Sequence, residues 1–164
     1  MSITTKIKIK QHLAEYCYGK FSGCDHNRPV RFPIRLDVYH MIWNLLEVCP
    51  STGPLITGNL EIVLTRRDNQ ELGKDPRTYN YLGERSCRLI GAAIEDIFYM
   101  ELYESMKQNK RRKGIPYSES IFMFKKMYAI TSIEDDTLWK GFYRMKRSLL
   151  KTEKRSYTFQ KNNN

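Results

Sequence analysis

The feature that most constrains this chain is one apolar stripe between Glu84 and Gln108. Leu89, Ile90, Ala93, Ile94, Ile97, Phe98, Leu102 and Met106 recur there at spacings close to three and four, the period of an amphipathic α-helix. A helix of that length needs apolar partners along most of its course, so it predicts a central scaffold for the remaining segments. Lys110, Arg111, Arg112 and Lys113, with Gly114, are expected to close it as a basic loop. Cations are also favoured at a helix C-terminus by the dipole alone.

Two other segments alternate with a period of two. Ile3, Thr5, Ile7 and Ile9 interleave with Thr4, Lys6, Lys8 and Lys10, which predicts a strand with one buried and one basic face. Leu60, Ile62 and Leu64 interleave with Glu61, Val63 and Thr65, a second strand expected to pair with the first. Between them, His12, Leu13, Tyr16 and Cys17 fit a short helix ending near Gly19. Pro29 and Pro33 bracket an extended segment. Leu36, Val38, Tyr39, Ile42, Trp43, Leu45 and Leu46 form a broad apolar helix face that also carries His40, expected to be partly buried. Residues 50–58 form a loop by their Pro, Gly and Ser content. Residues 68–84 form a long polar loop with Lys74, Arg77, Tyr79, Asn80 and Tyr81, and loops of that length are often functional. A basic strand followed by a helix resembles the start of ribbon-helix-helix repressors, whose paired strands enter a major groove. The long connection from Lys20 to Pro33 departs from that compact plan.

The C-terminal part, Ile115 to Lys151, reads as two helices joined by a tight turn. Pro116 and Ser118 suit a helix start, and Ile121, Phe122, Phe124, Met127 and Tyr128 recur at helical spacing. Thr131 precedes Glu134 by three and Ser132 precedes Asp135 by three, so either pair fits a capping box for the next helix. That helix is acidic first (Glu134, Asp135, Asp136) and basic last (Lys140, Arg144, Lys146, Arg147, Lys151). The turn between the helices contains no glycine, unlike the usual helix-turn-helix.

Composition enters through charge. The chain of 164 residues carries 28 Lys and Arg against 18 Asp and Glu, a net +10. Residues 1–35 hold +5 and residues 138–164 hold +7, while the segment between them is −2. Basic ends around a balanced middle favour a polyanionic partner over a uniformly basic surface. With 41% hydrophobic residues, the chain has enough apolar material for one core. No apolar run approaches the roughly 20 residues that cross a bilayer. The alternating N-terminus is not a signal peptide, so no membrane partner and a cytoplasmic location are expected.

Catalytic patterns are weak. Cys17, Cys24, Cys49 and Cys87 form no C-x-x-C pair, which predicts reduced thiols, no metal and no cofactor. Glu95, Asp96, Glu101 and Glu104 lie on the long helix as solvated acids often do. The three histidines are scattered, and no Ser or Cys sits in an elbow-like glycine context.

These residues predict an α+β fold, helix-dominated, in one domain over 1–151. It has a small two-stranded sheet and a C-terminal helical hairpin resembling a helix-turn-helix, followed by a basic flexible tail at 152–164. The expected function is non-enzymatic nucleic-acid binding, to DNA first, by a regulator or accessory factor of replication or recombination such as phages and mobile elements carry. Contacts are expected from Lys140, Arg144, Lys146, Arg147, Lys151, Lys154 and Arg155, from Arg111 and Arg112, and from Lys6, Lys8 and Lys10. The alternative is a protein-interaction adaptor presenting Phe122, Phe124, Trp139, Phe142 and Tyr143.

Overall fold

A computed structural model describes residues 3–51, 57–64 and 74–161, with side chains as far as Lys151. In chain order it contains β1 (Ile3–Ile7), α1 (Gln11–Phe21), α2 (Asp37–Leu45), β2 (Glu47–Val48), β3 (Leu60–Leu64), β4 (Tyr79–Tyr81), α3 (Glu84–Lys113), α4 (Tyr117–Met127) and α5 (Asp135–Lys161). The fold is α+β and dominated by helices. The chain divides into two compact units. One comprises Met1–Glu101 with Lys125–Ser132, the other Leu102–Phe124 with Ile133–Asn164.

In the first unit, β1 and β3 pair antiparallel as their alternation requires, with Ile3 opposite Leu64 and Ile7 opposite Leu60. Thr5, Ile7, Leu60, Ile62 and Leu64 face inward, and Lys6 and Lys8 face out. Regular pairing stops at Ile7, but the Asn59 side chain takes over its hydrogen bonds. It accepts from the Ile9 N–H at 3.0 Å and donates to the Ile9 carbonyl at 2.8 Å. The extended Pro29–Pro33 segment lies along β3, with the Val30 N–H donating to Glu61 and the Val63 N–H donating to Val30. Because β1 finds its partner within its own chain, it is not the free strand of a ribbon-helix-helix dimer.

Helix α2 buries Val38, Tyr39, Ile42 and Trp43, each such side chain contributing about 1.5–3 kcal/mol by leaving water. His40 is exposed, because it lies on the face opposite that stripe. The polar segment expected as a functional loop is largely structural where it is described. Lys74 donates to the carbonyls of Trp43, Asn44 and Leu46, closing the C-terminus of α2 with a cation. Tyr79–Tyr81 pairs with Glu47–Val48 in a second two-stranded sheet. Residues 52–56 and 68–73 of the two expected loops, and Thr65 at the end of the expected second strand, lie outside the described residues.

Along α3, Ile90, Ile94, Phe98, Leu102 and Met106 are buried at intervals of four. Leu89 is 45% exposed, since the stripe is narrower than its apolar content suggests. The helix continues to Lys113; Lys110–Lys113 are its last turn rather than a loop. Gly114, at φ +67°, then closes it with an N–H donated to the Lys110 carbonyl.

Helix α4 also ends on a left-handed residue. Ala129 adopts φ +53°, the Ile130 N–H donates to Lys125 and the Ala129 N–H donates to Lys126. This is a Schellman closure with alanine in the left-handed position that glycine usually fills. The following residues do not cap α5. The N–H and hydroxyl groups of Thr131 and Ser132 all donate to the buried carboxylate of Glu15 in α1, at 2.8–3.3 Å. Glu134 instead supplies the first carbonyl of α5. Glu101 receives donors from Tyr16, Lys20 and Tyr128. Gly19 permits this close approach: a Cβ there would stand 2.5 Å from the Tyr128 carbonyl oxygen. One face of α1 therefore clamps the segment 125–132.

In the second unit, Leu102, Met106, Ile121, Phe124, Leu138 and Phe142 are buried. Tyr117, at the start of α4, packs against Phe142 with ring centroids 4.7 Å apart and against Trp139 at 5.9 Å. Ser120, also buried, accepts a hydrogen bond from Asn109 at 3.3 Å. Helix α5 continues through 152–161, the stretch expected as a tail.

Candidate nucleic-acid interface

Charge is distributed unequally between the units. The second unit has thirteen Lys and Arg against six Asp and Glu, a net +7, whereas the larger first unit nets +3. On α5, Leu138 and Phe142 point inward while Lys140, Arg144, Arg147 and Lys151 are exposed. Their spacings of four, three and four put these four cations on one face, opposite the buried pair. The acids at the start of the helix reach only the first of them: Lys140 pairs with Asp136 at 2.6 Å. Arg144 and Arg147 lie beyond that pair. Lys146 leaves the row, and its ammonium sits 5.9 Å from the centroid of the Tyr117 ring, a cation–π contact. The side chains of Lys154 and Arg155 lie outside the described residues, although the backbone there is helical.

A cleft of about 530 Å³ opens at the basic end of α3, lined by Glu104, Lys107, Gln108, Lys110, Arg111 and Arg112, with Tyr117 contributed by α4. Arg111 and Arg112 were expected as contacts. Lys107, Gln108, Lys110 and Tyr117 were not assigned to the site from sequence. A signal for them exists: Glu104, Lys107, Gln108 and Arg111 follow spacings of three, one and three, a polar stripe on one helical face. Gln108 donates to Glu104 at 2.9 Å, which orients the amide. Four cations and an aromatic ring along its lining suit an anion that also carries a planar group.

The three strand lysines belong to the first unit and differ among themselves. Lys10 pairs with Glu95 at 2.6 Å and Lys6 approaches Glu61 at 3.9 Å. Lys8 is exposed with no carboxylate partner among the described residues. It borders a more apolar cleft of about 420 Å³, together with Leu13, Cys87, Arg88 and Gly91. Carboxylates thus already offset much of the basic face expected of β1.

The expected aromatic docking patch does not form one surface. Phe124 and Phe142 are buried, because the stripes of α4 and α5 need them for the core. Phe122 and Tyr143 are exposed.

Glu15 and Glu101 of the first unit are engaged in holding the fold. Burial would push the Glu15 carboxyl up, but the four donors from Thr131 and Ser132 prevail and hold it below its ordinary range. Glu101 is likewise held low, its burial outweighed by Lys20, Tyr128 and Tyr16. The same contacts, after burial, push both tyrosine hydroxyls up. Burial pushes the Cys17 thiol up to about 12, which makes it inert. Burial, then the charge of Lys10, lowers His12, whose ring packs edge-on against Phe98. Among the described residues, no three His, Cys, Asp or Glu side chains gather in a way that could hold a metal, and no helix is long and apolar enough to cross a membrane. No known family, curated protein or solved structure matches the chain.

Proposed function

We propose that this protein binds nucleic acid, DNA first, through the cationic surface of its second unit, and that it does so without catalysis. The observation that carries this reading is the concentration of a net +7 on the smaller unit, with Arg144 and Arg147 exposed in one row. A solubility tail or an ordinary solvated face does not need cations in register. Phosphates spaced along a strand do, and neutralising them releases condensed counterions. Arg111 and Arg112 add a second cationic site at the end of α3, while Lys6 and Lys10 are engaged elsewhere and rank below Lys8. As a biological role we propose a regulator or an accessory factor of replication or recombination on a mobile element, by analogy with small basic proteins of that kind.

A salt titration of DNA affinity tests the proposal. Each phosphate contact contributes about 0.9 to the slope of log K against log salt. Replacing both Arg144 and Arg147 by alanine should weaken binding and flatten that slope by roughly two units, with melting unchanged because both side chains are exposed. A wild-type protein that binds neither DNA nor RNA at low salt would overturn the proposal. The adaptor reading would then take its place, on Phe122, which is 59% exposed, and Tyr143.

A further inference from the structure

We infer that the cleft at the end of α3 takes an unpaired nucleotide, so that the strand this protein holds is single. The inference rests on the proposed nucleic-acid binding and specifies its substrate. A phosphate alone would explain Lys107, Lys110 and Arg111, but it would be repelled by Glu104 on the same wall. A ligand that satisfies both signs has an anionic part and hydrogen-bond donors, as a nucleotide does through its phosphate and the N–H edge of its base. Glu104 and Gln108 supply oxygen acceptors for that edge. Gln108 is already turned by its bond to Glu104, so its amide hydrogen points there and its carbonyl oxygen remains to accept.

Tyr117 supplies the third element. Phe142 and Trp139 pack against its ring and fix its plane, and it also borders the cleft. A ring immobilised in this way is a platform for stacking, which tolerates any base because every base has a π-face. Lys146 lies over that ring, and a base stacking there displaces its ammonium, which is then within reach of the adjoining phosphate. The cleft volume suits one small ligand. In duplex DNA the bases are stacked and paired, so none reaches Tyr117 unless it is flipped out at a cost. Single-stranded DNA and RNA share the required chemistry.

The test measures binding by the full chain to a labelled single-stranded DNA, the RNA of the same sequence and the corresponding DNA duplex, at one low salt concentration. At least one single strand should bind about ten-fold or more tightly than the duplex. Tyr117→Leu should lose about ten-fold on the single strand, as deletion of one stacked base does, and Tyr117→Phe should bind as the wild type does. Because Tyr117 also packs in the core, a second variant, Lys110→Gln with Arg111→Gln, changes exposed residues only. It should lose single-strand affinity by about the same factor with its melting unchanged. Duplex binding equal to or tighter than single-strand binding would overturn the inference while leaving nucleic-acid binding standing. So would single-strand affinity unchanged in the Lys110/Arg111 variant. If none of the three probes binds, the broader functional reading fails instead.

Discussion

Replacing Glu15 with glutamine isolates the clamp between α1 and the segment before α5. The carboxylate receives four hydrogen bonds from two adjacent residues: the N–H of Thr131 at 2.8 Å, the N–H of Ser132 at 3.1 Å, and their hydroxyls at 3.3 and 3.0 Å. The hydroxyls can turn to water, because Thr131 and Ser132 are exposed. The two backbone donors cannot reorient, and bonds to a charged acceptor are worth about 1.5–3 kcal/mol each when one side is removed. Glutamine keeps one acceptor oxygen but points an NH₂ group at donors, so the net loss should be about 2 kcal/mol. In urea this lowers the unfolding midpoint by about 1 M.

The pH dependence of the same comparison has a definite sign. The Glu15 carboxyl is held below its ordinary value of 4.5 in the folded chain, so the unfolded chain binds its proton first as pH falls. The stabilisation is therefore fully present above that unfolded value and is lost as pH drops through the lower folded one. Wild type and Glu15→Gln should differ by a constant amount near neutral pH and converge in acid, while Glu101, common to both, cancels in the difference. Equal urea midpoints at neutral pH, or a gap that survives unchanged into strong acid, would refute the clamp.

Three further substitutions probe neighbouring features. Gly19→Ala places a methyl against the Tyr128 backbone and should cost about 1–3 kcal/mol in chemical denaturation despite the better helix propensity of alanine. Ala129→Gly should stabilise by about 0.5–1 kcal/mol in the same assay, because it relieves a left-handed alanine at φ +53° whose side chain is exposed. Lys74→Met removes the cation that bonds three carbonyls at the end of α2 and should lower stability by about 1–2 kcal/mol, read as a lower melting temperature.

Much of the scaffold was legible because periodicity reports burial directly. The alternation at residues 3–9 and 60–64 led to the observed β1–β3 pair, and the stripe of α3 led to its buried row. Long-range polar chemistry was not legible. Thr131 and Ser132 have the local pattern of capping residues, and nothing in a linear pattern shows that Glu15 lies opposite them. Lys74 reads as a solvated loop cation until the end of α2 is placed beside it. Phe122 and Phe124 look equivalent as apolar residues, yet two positions along a helix is a rotation of about 200°, and only Phe124 faces inward. In the candidate site, the row on α5 could be read from spacing. The cleft could not, because Tyr117 is brought to Lys107 and Arg111 by the turn at Gly114 rather than by any sequence periodicity.

The clamp on α1 also sets a schedule for synthesis. Glu15 waits for partners 116 and 117 residues downstream, and Tyr16 and Lys20 wait more than 80 residues for Glu101. At about 5–20 residues per second of translation, the N-terminal helix exists for seconds as an amphipathic segment whose carboxylate has none of its native donors. Closing so long a loop is slow compared with helix formation. The first unit, although most of it is made early, acquires its last native contacts only after residue 132 has been made.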